Sequence, residues 1–265
     1  HNGTEIAISA VKLLKFKKGG DYLISSNVKP GSGLGGSSSL TVNCVKTITT
    51  LQNKNLSNTE IAETAFHIER DILNHPIGKQ DDYIAAFGGF NFINFSSKKT
   101  EVMPINLSSS SFNELQENLL LFNTGATRKS SDVLKNQLSS IQNQNTSTLN
   151  SIHKAKELAE ELHDSLKNSN LQNFAEILNK GWEAKKKFTN GVSNERINKI
   201  YESAISNGAT GGKITGAGGG GHILLYCEKN KQTLLKEKMK QLDLSFVKFN
   251  FHKNGPKVIN IYDHR

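Results

Sequence analysis

Lys29-Pro30-Gly31-Ser32-Gly33-Leu34-Gly35-Gly36-Ser37-Ser38-Ser39 is the stretch on which the reading of this chain turns. It is a glycine loop that runs straight into three hydroxyls and an apolar segment. Glycine admits positive φ and lets backbone N–H groups come close to a ligand. A helix that opens just after the loop adds unpaired N–H groups and the positive end of its dipole. Together these make a phosphate cradle. The serines can cap the helix or reach a Mg²⁺ ion carried by a nucleotide. The loop is neither of two familiar patterns. A P-loop needs Lys and Ser/Thr after its last Gly, and no Lys follows Gly36. Gly31-Ser32-Gly33-Leu34-Gly35-Gly36 meets the dinucleotide fingerprint loosely, but Leu51 to Asn55, where the ribose contact would fall, holds no acid. A flexible Gly/Ser linker is the bland alternative. The flanks argue against it, since Asp21 to Val28 reads as a strand and Leu40 to Leu51 as an apolar helix.

Outward from the loop, Glu5 to Phe16 reads as a helix and Gly19-Gly20-Asp21 as a turn before a strand over Tyr22 to Val28. Ser57-Asn58-Thr59-Glu60 is a capping box. It opens a helix with Ile61, Ala65, Ile68 and Ile72 on one face, ended by His75-Pro76-Ile77-Gly78. Lys79-Gln80-Asp81-Asp82-Tyr83 follows, then Gly88-Gly89 and a strand-like alternation over Phe90 to Phe95. Leu119 to Phe122 is a short buried strand that ends at Asn123-Thr124-Gly125-Ala126-Thr127-Arg128. Residues 131–188 read as mostly helical, broken by the polar stretch Gln142 to Asn150, a loop or a polar helix end. Asn194 to Ser206 is a further helix. Gly208 to Gly221 is a second glycine-dense segment with a strand after it. Lys229 to Leu242 is amphipathic, and Phe246 to Phe251 and Val258 to Tyr262 look like closing strands. These elements make two α+β halves, parted near residues 110–118 beside the serine run Ser108 to Ser111.

At 265 residues the chain has room for one large domain or two ordinary ones. No run approaches the roughly 18 apolar residues of a membrane helix, and there is no signal peptide. The chain does not begin with Met, and a helical pattern starts almost at once, so a preceding piece is expected. Cys44 and Cys227 lack metal-ligand spacing and read as small buried hydrophobes in a reducing cytoplasm. The net charge of +9 would suit nucleic acid, a membrane surface or small anions. Its lysines are scattered, densest at Lys15 to Lys18 and Lys185 to Lys187, with no aromatic-interleaved stripe to stack bases. A solvated surface is the default, with no nucleic-acid or membrane partner.

Pro30-x-x-x-Leu34-Gly35 followed by hydroxyls, with Gly216 to Gly221 late in the chain, resembles the GHMP kinases, the galactokinase, homoserine kinase, mevalonate kinase and phosphomevalonate kinase group. The resemblance spans nearly the whole chain. Gly78 to Asn91, Thr124 to Arg128 and Trp182 to Lys186 are similar to the sugar-kinase branch, and most of all to D-glycero-D-manno-heptose 7-phosphate kinases. The resemblance implies an α+β, two-domain fold. Residues 1–115 would be an N-terminal α/β domain that lacks the family's first motif, and residues 116–265 a ferredoxin-like C-terminal domain. The active site would lie in the cleft between them. The implied reaction moves the ATP γ-phosphoryl to the anomeric hydroxyl of a sugar or sugar phosphate, with Mg²⁺. The heptose 7-phosphate leads as acceptor. Fucose or galactose types are alternatives, as is a non-catalytic nucleotide- and sugar-binding relative. A homodimer is left open.

The resemblance also distributes roles. Pro30, Gly31, Ser32, Gly33, Leu34, Gly35, Gly36, Ser37 and Ser38 would wrap the ATP phosphates. Ser37 would touch Mg²⁺ or phosphate, with Ser38 its rival, because Gly36 stands where the family carries Ser or Thr. Glu69 resembles the acidic Mg²⁺ ligand; a solvated pair with Arg70 or Lys79 is the plain alternative. Asp81 matches the catalytic aspartate, which orients the acceptor hydroxyl and takes its proton. A cap of the next helix is the other reading. Asp82 is the weaker candidate, since the family carries an uncharged polar residue there. Lys79 would stabilise the moving phosphoryl group or lower the pKa of Asp81. Thr127 and Arg128 would meet a substrate phosphate or form a structural pair. Gly216, Gly218 and Gly219 would pack close to loop and substrate. Trp182 reads as core rather than platform.

Overall fold

The computed structural model describes residues 3–126 and 130–259. They fall into two compact units. The first comprises residues 1–30, 35–102 and the chain from 252 onward; the second comprises 31–34 and 103–251. The division runs at Val102–Met103, and the glycine loop is itself shared at Leu34–Gly35.

In the first unit, α1 (Gly3–Leu13), α2 (Gly36–Leu51), α3 (Asn58–His67) and α4 (Gln80–Phe87) precede a hairpin of β1 (Asn91–Phe95) and β2 (Thr100–Pro104), the last two residues of β2 being counted with the second unit. The core is Val42, Val45 and Ile48 of α2, Ile61, Ala62 and Ala65 of α3, Ile68, and Tyr83 and Ala86 of α4. The capping box at α3 forms as its sequence requires: the Ser57 hydroxyl accepts from the Glu60 amide, and the Glu60 carboxylate accepts from the Ser57 amide at 2.8 Å. Beyond His67 the helix widens into a π turn, Ile68–Ile72, closed by the Leu73 amide on the Ile68 carbonyl at 3.0 Å. The wider turn carries Ile72 off the buried face, to 41% exposed, and leaves Glu69 wholly buried.

Tyr22 to Val28 is not a strand. These residues are irregular and exposed, Leu23 at 96%, and pair with no neighbouring strand among the described residues. The short apolar run has strand composition, but a strand exists only where a partner ladder takes its N–H and C=O groups. At the other end of the chain, the Gly89 amide donates to the His252 carbonyl at 2.8 Å, which ties residue 252 to the end of α4. The expected Phe246–Phe251 strand shrinks to Ser245–Val247. Val258 and Ile259 have no strand structure, and residues 260–262 lie outside the described residues.

The second unit carries α5 (Ser109–Asn118), β3 (Leu119–Asn123), α6 (Ser130–Gln142), α7 (Thr146–Lys167), α8 (Leu171–Lys186), α9 (Glu195–Ser206), β4 (Ala209–Ile214), β5 (His222–Cys227), α10 (Gln232–Gln241) and β6 (Ser245–Val247). The sheet order is β4-β5-β3-β6, and every neighbouring pair is antiparallel. The four helices between β3 and β4, the hairpin β4–β5 and the crossing α10 give the ferredoxin-like split βαβ arrangement that the resemblance implied. Leu119 to Phe122 is fully buried, as a strand in mid-sheet requires. The break expected over Gln142 to Asn150 is only Asn143 to Asn145, because Asn145 caps α7 through the Thr148 amide at 3.0 Å. A second break at Asn168 to Asn170 has the same device, Asn170 on the Asn173 amide. Trp182 lies in the core with Phe122, Val192, Tyr201 and Ile214.

In β4, glycine allows a helix backbone to touch the sheet. A Cβ on Gly211 would stand 2.0 Å from the Ala175 carbonyl oxygen of α8. That oxygen is backbone inside a helix and cannot swing away. Gly211→Ala is expected to cost about 3 kcal/mol of folding stability, measured by urea denaturation. A midpoint equal to wild type would show that α8 can slide.

Candidate functional site

The loop is built on left-handed glycines. Gly31, Gly33 and Gly35 have φ of 74°, 73° and 66°, while Ser32 and Leu34 between them do not share the left-handed region. Alternating handedness of this kind is the backbone from which anion-binding nests are made. Gly35 is the N-cap of α2, and no side chain caps that helix. Its first amides therefore keep their donors and the positive dipole end for a ligand. Pro30, Gly31 and Gly36 are exposed, Ser37 is half-buried and Ser38 buried. A Cβ at Gly36 would meet nothing within 4 Å, so the glycine there is not sterically required.

In the second unit, residues 31–34 are held by the second glycine segment. A Cβ on Gly221, at φ 86°, would stand 2.5 Å from the Ser32 carbonyl oxygen, and one on Gly216 would stand 2.9 Å from Gly33 Cα. The buried His222 ring adds a bond from Nδ1 to the Ser32 carbonyl at 2.8 Å. Lys185 Nζ donates to the Gly216 carbonyl at 2.5 Å. Gly218 and Gly219 pack instead on Val192, whose carbonyl accepts from the Gly219 amide at 2.8 Å. Among the three glycines expected near substrate, only Gly216 meets the loop in these contacts. Thr127 and Arg128 lie outside the described residues.

The acids gather in the first unit. Asp81 occupies the first turn of α4, but the cap position belongs to Lys79, so Asp81 is not the cap. Its carboxylate faces Gly35: a Cβ there would be 3.6 Å from Asp81 Cγ and 3.7 Å from Oδ2. That sets the half-buried Asp81 carboxylate against the open N-terminus of α2. Glu69 is not a solvated partner of Arg70 or Lys79. It is wholly buried and accepts from Ser37 Oγ at 2.5 Å and Thr41 Oγ1 at 3.0 Å, with His75 Nδ1 3.6 Å away. Lys79 points elsewhere. Its ammonium donates to both oxygens of Glu63 at 2.7 Å, which also accepts from Tyr83 Oη at 2.5 Å, and it lies over the Phe66 ring. This pairing ties the start of α4 to α3.

Asp82 is the residue that the sequence undervalued. On a helix, consecutive side chains diverge by about 100°. Asp81 faces the loop, and Asp82 turns inward, wholly buried, with neither carboxylate oxygen hydrogen-bonded among the described residues. Its pKa is pushed up from 3.8 to about 8. Burial is the main cause and the Glu69 charge the next; the Ser38 hydroxyl works the other way, short of hydrogen-bond geometry, and Asp81 adds repulsion. An Asp in uninterrupted α-helical register behind an apolar Tyr83 was the only available signal.

The sign of the linkage follows. Between about pH 4 and 8 the native state keeps a proton on Asp82 that the unfolded chain has lost, so this group's stabilising contribution falls as pH rises through that window. In EDTA, wild type is expected to lose more melting temperature from pH 5 to 8 than Asp82→Asn. The variant is expected to be more stable near pH 8 by on the order of a few kcal/mol. Parallel curves would show that Asp82 ionises freely.

Hard-oxygen donors suit Mg²⁺, which takes one or two carboxylates and leaves places for phosphate and water. The buried Glu69 carboxylate, the Ser37 hydroxyl and the unpartnered Asp82 fit that chemistry. Among the described residues no group of three or more His, Cys, Asp or Glu is placed to hold a metal ion.

Two family models match this chain: GHMP kinases N terminal domain over residues 5–89, and GHMP kinases C terminal over residues 158–242. A D-glycero-alpha-D-manno-heptose 7-phosphate kinase of Campylobacter jejuni is 35% identical over 233 residues, covering 88% of this chain and 68% of the relative. A Campylobacter jejuni crystal structure described as a candidate sugar kinase matches with a TM-score of 0.66 and 34% identity, over 86% of this chain and 65% of the other. A D-glycero-D-manno-heptose 1-phosphate kinase structure from Bacteroides thetaiotaomicron shares the fold, with a TM-score of 0.72 and 24% identity, over 97% of this chain and 75% of the other. The chain thus spans about two thirds of the length of the two Campylobacter proteins. With both halves of the family matched in order and a 35% identical relative covered over most of its length, this chain belongs to the GHMP kinases.

Proposed function

We propose that the protein transfers the γ-phosphoryl group of ATP to the anomeric hydroxyl of a sugar phosphate, with D-glycero-D-manno-heptose 7-phosphate as the leading acceptor. The observation that carries this reading is the Asp81 carboxylate set against Gly35 at the uncapped start of α2. The 35% identical relative supports the choice of acceptor, since its name gives that substrate.

In this reading the nest at Gly31 to Gly35 and the first α2 amides hold the ATP phosphates. Asp81 orients the acceptor hydroxyl and takes its proton as the oxygen bonds to Pγ. The bond from Pγ to the bridging oxygen breaks, and ADP leaves. Glu69 and Ser37 would hold Mg²⁺, which when bound offsets charge on the phosphates. Lys79, committed to Glu63, positions α4 rather than the phosphoryl group. Thr127 and Arg128 are offered as contacts to the acceptor's own phosphate on the resemblance alone. The use of ATP and two free cysteines support a cytoplasmic setting. No helix among the described residues is long and apolar enough to cross a membrane.

The test is ADP release with heptose 7-phosphate, fucose, galactose and mevalonate, with ³¹P NMR of the product. A sugar 1,7-bisphosphate formed from the heptose phosphate is expected. No turnover with any acceptor, at full ATP binding, would favour a non-catalytic relative.

A further inference from the structure

Asp82 has no place in the phosphoryl-transfer scheme above. It is nonetheless wholly buried with both oxygens unpartnered, beside a second wholly buried carboxylate. Glu69 accepts from the Ser37 and Thr41 hydroxyls, whereas neither Asp82 oxygen has a hydrogen bond of good geometry among the described residues, with the Ser38 hydroxyl near it and the Glu69 carboxylate beside it. A buried charge without a partner is costly, and a like charge beside it adds to the cost. A cation between two carboxylates removes both terms. We propose that Asp82 is a second carboxylate ligand of the divalent cation, so that the protein takes up the metal ahead of the nucleotide. The donors are then two carboxylates with the Ser37 hydroxyl beside them, a hard set that leaves positions for water and phosphate. The proposal deepens the kinase reading, because it takes Glu69 as the first ligand.

Mn²⁺ serves as the probe, titrated into the full chain without nucleotide and followed by electron paramagnetic resonance. Wild type is expected to bind one Mn²⁺ ion. Asp82→Asn, checked for folding by its melting curve, is expected to weaken that binding about 10-fold or more, and Asp82→Glu to weaken it less. Unchanged Mn²⁺ affinity in Asp82→Asn would overturn the proposal. So would a wild-type protein that binds no Mn²⁺ until nucleotide is added, which reflects a proton shared with Glu69 instead. The wild-type and Asp82→Glu titrations decide even if Asp82→Asn fails to fold. An active kinase with no nucleotide-free Mn²⁺ site would sink this inference alone. A Mn²⁺ site lost in Asp82→Asn in a protein that phosphorylates no sugar would uphold it and sink the kinase reading.

Discussion

Asp81→Asn is expected to lower kcat about 1,000-fold while ATP affinity stays within about twofold of wild type. The exchange keeps the shape of the side chain beside Gly35 and removes its negative charge and its capacity to take a proton. A positioned general base contributes about 10²- to 10⁴-fold, so a loss of about 4 kcal/mol in transition-state stabilisation is the central expectation. Rapid-quench turnover separates the chemical step from product release, and fluorescence titration of an ATP analogue reads binding. A kcat within tenfold of wild type would remove Asp81 from the chemistry and leave the loop a simple binding site.

Glu69→Gln is expected to lose about 100-fold in kcat/KM at limiting Mg²⁺, with partial recovery at high Mg²⁺. Two hydroxyls, Ser37 and Thr41, donate to the two oxygens of Glu69. A glutamine can accept from only one of them. Its NH₂ then meets the other hydroxyl, which must turn its own proton elsewhere, at a cost of roughly 1–3 kcal/mol in stability. Two readouts therefore move together. The Mg²⁺ dependence of the rate shifts to higher concentration, and the melting temperature falls. A stability loss with unchanged Mg²⁺ dependence would make Glu69 an anchor for the start of α2 rather than a metal ligand.

Local chemistry made much of this molecule legible. The capping box and the buried strand Leu119 to Phe122 each depend on a few adjacent residues, and each stands as read, whereas α2 opens at Gly36 rather than Leu40 and no serine caps it. The failures are non-local. Tyr22 to Val28 has the composition of a strand, but pairing is decided by a partner far along the chain. Gln142 to Asn150 looked like one long interruption because Asn, Ser and Thr favour turns and caps alike; only the Asn145 side chain on the Thr148 amide tells the two apart. Within the site, Asp81 and Glu69 are carried by a family pattern, whereas Asp82 is defined by what does not bond to it, which no sequence prints. Lys79 sits beside Asp81 in the chain, yet its ammonium is held by Glu63 on the preceding helix.

The π turn at Ile68–Ile72 has an evolutionary reading. Such a turn accommodates one residue more than a regular coil of the same rise, as a single-codon insertion would supply. Excising one position between Arg70 and Leu73 would let the ladder relax to ordinary spacing and return an apolar side chain to shelter. In the kinase reading proposed above, this helix keeps an irregular register where it would seat one oxygen ligand, a trade-off between robustness and chemistry written into five residues.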